Sequence, residues 1–389
     1  MFSTRLPARL QPNPVSEMVQ RARAAGRIRF DLTETNPTFV GLAYPPDLTA
    51  SLDDPQALVY APSALGTLAA RTAVASAYPP AAGIAPDRLM LTASTSEAYS
   101  FLFKLLCDAG DEVLVPRPSY PLFDLLTMLE GVRQVPYRLD SAGGWCLDRD
   151  SIVGALTPRT RAVLVVSPNN PTGSVLRQAD RDWLAACAMQ HGLALISDEV
   201  FVDYPLSARP DATSLLGEDR VLTFTLGGLS KAAALPQMKL AWTAISGPDR
   251  VVADAMMRLE IIADSYLSVS TPVQVALPRL LEAGRVVRAA VRARLAANLE
   301  TLRRVVRRVP ALTLSEPDGG WSVVLRLPAI LSEEQWVLRL LDEHGVLVHP
   351  GYFFDLDTGV HVVISLLPAP EVFTSGVTCI AELAAGRAS

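Results

Sequence analysis

Lysine is the side chain that captures carbonyl compounds, and this chain uses it sparingly. Of 35 Lys plus Arg in 389 residues, three are lysines: Lys104, Lys231 and Lys239. Lys231 sits in GGLSKAAALPQMK, just after the apolar run VLTFTL. An amine among small residues at a strand end can bond a carbonyl carbon and then move a proton. Asp198, in SDEV, closes another apolar run, where a carboxylate can hold a positively charged nitrogen. Asn170, in SPNNPTG, offers an amide at the end of a third run, although Asn-Pro also reads as a plain turn. Ser94, Thr95 and Ser96 stand where LMLTA gives way to a helical pattern. Hydroxyls and free N–H groups there suit a phosphate and equally suit a helix cap.

These residues need elements to position them. Residues 14–26 read as a short amphipathic helix, followed by a Pro- and Thr-rich arm, DLTETNPTF. From about residue 64 helices alternate with apolar strands. Helices are expected in LGTLAARTAVASAY, at 96–108, in SYPLFDLLTMLE and in QADRDWLAACAMQHG. Strands are expected at 89–93, 111–116, GVRQVPYRL, RAVLVV, LALISDE, 221–226 and 240–246. Continuous apolar strands between helices predict a mostly parallel sheet covered on both faces. The expected division is an arm to residue 45, a large α/β domain over 46–280 and a small α+β domain over 281–389. A ligand cleft is expected at the C-terminal ends of the large domain's strands.

Taken in order, SPNNPTG, SDEV and GGLSK resemble the fold-type I pyridoxal-phosphate enzymes, specifically the class I/II aminotransferase family. NPT (36–38), TASTSEA (92–98), RPSYPLF (117–123) and HPGYFF (349–354) extend the resemblance over nearly the whole chain. It implies pyridoxal 5′-phosphate as cofactor and transfer of an amino group from a donor to a keto acceptor. Lys231 would form the Schiff base, Asp198 would pair with the pyridine nitrogen and Asn170 would donate to the phenolate oxygen. Ser94, Thr95, Ser96, Ser230 and Lys239 would hold the phosphate end, and Tyr120 would stack on the ring. Tyr60 would reach the neighbouring subunit's phosphate, which implies a homodimer. Asn36, His349 and position 363 fall on the substrate side.

The chain departs from the family at several positions. Lys239 stands where the family has an arginine, so the charge stays and the bidentate fork is lost. Phe201 replaces a tyrosine, with Tyr204 three residues on. Ser94 stands for a glycine and Gly228 for a serine. Val363 stands where the family's arginine grips the substrate α-carboxylate, so an atypical substrate is expected. The same apparatus also serves elimination, decarboxylation and C–C or C–N bond formation, which remain the alternative to transamination.

Other classes fit less well. Net charge is −5, so no overall basic field favours nucleic acid. Arg303, Arg304, Arg307 and Arg308 recur at helical spacing and read as a solvated face. A regulator would need an added DNA-binding domain, and only about 45 residues precede the large domain. The opening MFSTRLPARLQPNP has no apolar core for a signal peptide, and no run is long enough to span a membrane. The four cysteines are scattered and read as reduced thiols in a cytoplasmic protein. The four histidines lack metal-site spacing, so no metal is expected.

Overall fold

The computed structural model describes residues 3–7, 13–142 and 144–386. The opening stretch read for a leader therefore lies partly outside the described residues.

An eight-stranded sheet organises the larger part. Its order is Leu89–Thr92, Ala241–Ser246, Thr223–Gly228, Ala194–Asp198, Thr160–Val166, Glu112–Arg117, Arg133–Asp140 and Cys146–Leu147. The five strands from Thr223–Gly228 to Arg133–Asp140 pair in parallel. Ala241–Ser246 runs against both its neighbours, and Cys146–Leu147 runs against its one partner. Ala194–Asp198 and Thr223–Gly228 are buried end to end, and Thr160–Val166 is buried save for Arg161, which is why they read as apolar runs.

Helices flank this sheet where the 3.6-residue pattern places them. Thr95–Leu106 buries Ala98, Tyr99, Phe101, Leu102 and Phe103. Gln178–His191 ends on Gly192, whose φ of 64° is the left-handed conformation glycine adopts freely.

The smaller part carries a four-stranded antiparallel sheet in the order Thr313–Ser315, Ser322–Arg326, His361–Ser365, His349–Pro350. Helix Glu333–His344 starts on a capping box between Ser332 and Gln335. Phe30–Asp31 pairs in parallel with Val346–Leu347, and Ser365 N donates to Leu32 O at 2.7 Å. The arm is thus stitched to the small sheet.

One helix, Thr271–Arg308, runs without a break through residue 280. Proline inside a helix normally interrupts it. Here Pro278 is tolerated, with Ala276, Leu277 and Leu280 buried on either side of it in one apolar cluster.

Candidate active site

The parallel strands end in register. Val166 pairs with Asp198, and Asp198 with Leu226. The segments that follow these three ends deliver Asn170, Asp198 and Lys231 to one cavity of about 230 Å³. Thr95, Ser96, Tyr120 and Ser230 also line it.

Lys231 lies on the short helix Leu229–Ala232, directly after its strand. The approach is tight. A Cβ on Gly227 would meet Trp242 Nε1 at 2.5 Å, and one on Gly228 would meet Ala241 Cβ at 3.1 Å. Gly228 therefore accompanies close pairing with Ala241. The carbonyls of this four-residue helix accept from the turn that follows, Ala233 N and Leu235 N on Leu229 O and Ala234 N on Lys231 O, and from distant side chains as well. Tyr204 OH donates to Lys231 O, Arg288 Nη1 to Ala232 O at 3.4 Å, and Tyr44 OH to the nearby Ala234 O at 2.8 Å. The backbone beneath the lysine is fixed from three directions.

Burial lowers the Lys231 amine from its ordinary 10.5 to about 8, with the charge of Asp198 opposing the shift. The sign for stability follows. Below pH 8 the unfolded chain and the folded chain both hold the proton, and the folded chain bears the desolvation cost. That cost shrinks as pH rises from about 8 to 10.5 and is gone above it. Lys231→Met is therefore expected to raise the melting temperature of the cofactor-free protein at pH 7, with the gain vanishing by pH 10.5. Thermal denaturation across that range checks it.

Asp198 is buried at 9% exposure. Its Oδ2 accepts from Tyr99 OH at 2.8 Å and its Oδ1 from Val200 N at 3.1 Å. Burial pushes its carboxyl up; the two donors and Lys231 pull it back down. Tyr99 was not singled out from the sequence. Its signal was there: it stands three and four residues after Ser96 and Thr95 on one helix, so all three share a face.

Ser94 caps that helix, accepting from Glu97 N at 3.1 Å, while Glu97 Oε2 accepts from Ala93 N at 2.7 Å and Ser268 Oγ at 2.6 Å. The N–H groups of the first helical residues, Thr95 and Ser96, have no intrahelical acceptor and stand at the cavity wall. Asn170 Oδ1 is buried at the same wall without a hydrogen-bond partner. Unpaired N–H donors, an orphaned amide oxygen that can accept, and a desolvated amine make this wall suited to a polar ligand.

The remaining expected residues lie off this wall. Lys239 is exposed at the end of a turn, with φ at 51°. Tyr60 is 79% exposed. Asn36 Oδ1 accepts from Thr38 N and Thr38 Oγ1 and so shapes the arm; its neighbour Thr35 is the one that reaches the cavity. His349 packs near Phe353 and Phe354, and burial lowers its imidazole. Val363 is 1% exposed in an apolar cluster with Val324, Phe354 and Leu356. Ser322 pairs with Ser365 and Val324 with Val363, so Val363 shares the sheet face from which Ser322 lines the cavity. Besides Ser322 and Tyr99, the apolar wall of Leu122, Phe123 and Leu126 was not expected from the sequence.

Residues 43–369 match the family model for aminotransferase class I and II. The chain belongs to that family. The aminotransferase is 30% identical over 369 residues to alanine aminotransferase of Mycobacterium tuberculosis H37Rv, covering 91% of this chain and 85% of the relative. It is 26% identical to the glutamate-pyruvate aminotransferase AlaA of Escherichia coli K12, covering 96% and 94%. Alanine aminotransferase from Pyrococcus furiosus superposes with a TM-score of 0.88 at 23% identity, covering 100% of both chains, which shows a shared fold. These relatives are named for amino-group transfer, the first of the two outcomes open at the sequence level. Among the described residues no cluster of acids, histidines and cysteines is arranged for a metal, and no helix is long and apolar enough to cross a membrane.

Proposed function

We propose that this aminotransferase works with pyridoxal 5′-phosphate in the cavity around Lys231. The observation that carries the reading is a desolvated amine and a buried, doubly hydrogen-bonded carboxylate on one small cavity. When bound, that cofactor supplies an electron sink that acidifies the substrate's α C–H. The chain's residues do the rest. Lys231 Nζ would hold the cofactor through its aldehyde carbon and, once released, would move the proton at the substrate's α carbon. An amine titrating near pH 8 is suited to both tasks. Asp198 pairs with the pyridine nitrogen, and Tyr99 orients that carboxylate. The N–H groups of Thr95 and Ser96, with the hydroxyls of Ser94 and Ser230, hold the phosphate, and Lys239 adds charge at longer range. Tyr120 covers one ring face, and Asn170 faces the phenolate oxygen. The arm to residue 45 and the layers 46–280 and 281–389 remain our functional division of the chain.

The test is the visible spectrum of the purified protein titrated with a panel of amines and amino acids. A band that shifts with one donor, together with borohydride fixation of the cofactor on Lys231, supports the reading. A protein that holds no cofactor after incubation with it contradicts the reading.

The amino donor differs, on our reading, from those in the relatives' names. A carboxylate in a dry cleft is best held by a guanidinium fork, and position 363 supplies an apolar valine instead. Alanine and glutamate are expected to react with kcat/KM about 100-fold below the best donor of the panel. Comparable turnover of either would sink this part. Phe201 brings a second expectation, because it places a ring without a hydroxyl on the cavity wall. Phe201→Tyr should lower the midpoint of the cofactor band's pH titration by about one unit, since a phenol donor favours an anionic oxygen.

We also propose self-association in the cytoplasm. The consecutive residues Leu58, Val59 and Tyr60 are 90%, 60% and 79% exposed, an apolar strip suited to a second copy of the chain. The four cysteines are unpaired, which supports a reducing compartment.

A further inference from the structure

Lys231 Nζ has an unusual setting for an ammonium. It makes no hydrogen bond among the described residues. Instead it lies 4.4 Å from the centroid of the Trp321 ring and 5.3 Å from that of Phe201. These two rings meet edge to face at 5.6 Å, and Tyr204 meets Trp321 edge to face at 5.1 Å. Trp321 and Tyr204 are buried at 1% and 0% exposure. Each wall is anchored. Tyr204 is tied to the Lys231 carbonyl. The turn before Trp321 is docked by its backbone: Asp318 N and Gly319 N donate to Gly173 O, and Gly320 N to Tyr204 O, all at 2.9 Å. Gly319 has no room for a side chain, since a Cβ would lie 2.7 Å from Pro168 Cγ.

We propose that Trp321 and Phe201 form an aromatic box that holds the Lys231 amine whenever it is not bonded to a carbonyl carbon, so that both are positioning residues. The inference rests on Lys231 being the reactive amine. Transamination frees this lysine once per turn and needs it close for the proton transfer. Among polar walls a free ammonium would settle on a carboxylate and turn away. Ring faces attract the charged form without offering a directional acceptor, so Nζ stays near and can leave at little cost. The two faces come from different layers, Phe201 from the loop after Asp198 and Trp321 from the start of the small sheet. The box therefore closes only while the turn 317–320 is seated against Gly173.

The other charged or titratable groups facing Lys231 are few. They are Asp198 at its strand end with Tyr99 behind it, Tyr204 on the lysine's own carbonyl, and Arg288 on the long helix, which is occupied by Asp203 at 2.8 Å. Of these, Tyr204 is the one that packs on a substituted ring, Trp321, so Phe201→Leu tests the box with that contact kept.

The scarcity of lysine makes the test readable. The full-length chain, freed of cofactor, is acylated over a range of pH, and the midpoint for each lysine is read by mass spectrometry. Lys104, paired with Glu130, and exposed Lys239 are internal references. Ring faces favour the protonated amine, so Trp321→Leu should lower the Lys231 midpoint by about one unit. Phe201→Leu should lower it by less, and Trp321→Phe should fall by less than Trp321→Leu. An unmoved Lys231 midpoint overturns the proposal. So does a rise, which would mean the rings act only by excluding water. If Trp321→Leu does not fold, Trp321→Phe and Phe201→Leu, which keep more of the volume, decide. Borohydride fixation on the loaded wild-type protein separates the two layers of inference. Absence of cofactor on Lys231 removes the functional reading; its presence with unshifted variant midpoints removes the box alone.

Discussion

Lys231→Ala is expected to lower kcat/KM by at least about 10,000-fold, because the proposed function gives one side chain both the covalent capture and the proton transfer. Lys231→Arg should not rescue it. A guanidinium stays protonated and cannot take a proton at working pH. The short helix should survive either change, since its carbonyls are held by Tyr204 and Arg288 rather than by the lysine side chain. Single-turnover measurement with the best amino donor, alongside thermal denaturation, separates lost chemistry from lost fold. Residual activity within about 100-fold of wild type would remove Lys231 from its assigned role.

Asp198→Ala is expected to lower kcat/KM by about 1,000-fold and to weaken cofactor retention. Three variants should form a series. Asp198→Asn keeps the shape and loses the charge, so it should fall close to the alanine variant. Tyr99→Phe leaves the charge but removes one of two donors, with an expected loss of about 10-fold. If shape were what matters, the asparagine variant would stay near wild type. Steady-state kinetics with saturating cofactor, together with equilibrium dialysis of the cofactor, distinguishes the two accounts.

The candidate site was legible in the sequence for a specific reason. Parallel strands buried on both faces read as apolar runs, and their C-terminal ends face one side of the sheet. Asn170, Asp198 and Lys231 each follow such a run, so position along the chain translated directly into position in space. Ser94 to Ser96 were legible through capping chemistry. What closes the site was not legible. Trp321 lies 90 residues after Lys231 and meets it only because the glycines before it admit the docked turn. Of the arm's two adjacent candidates, Thr35 reaches the cavity while Asn36 turns back on Thr38. Such choices belong to tertiary packing, which local periodicity does not encode. The long helix Thr271–Arg308 likewise continues through Pro278 because burial of Ala276, Leu277 and Leu280 holds its turns together, which local sequence does not show.

The stitching of the arm to the small sheet has a mechanical corollary. Phe30–Asp31 is paired with Val346–Leu347, and Leu32 O receives Ser365 N. Three residues beyond that last bond lies Thr35, at the cavity. Across the small sheet from Ser365 lies Ser322, also at the cavity. These two contacts come from opposite ends of the chain yet are borne by one stiff frame. A shift of that frame as one body would carry both contacts away from the cavity together.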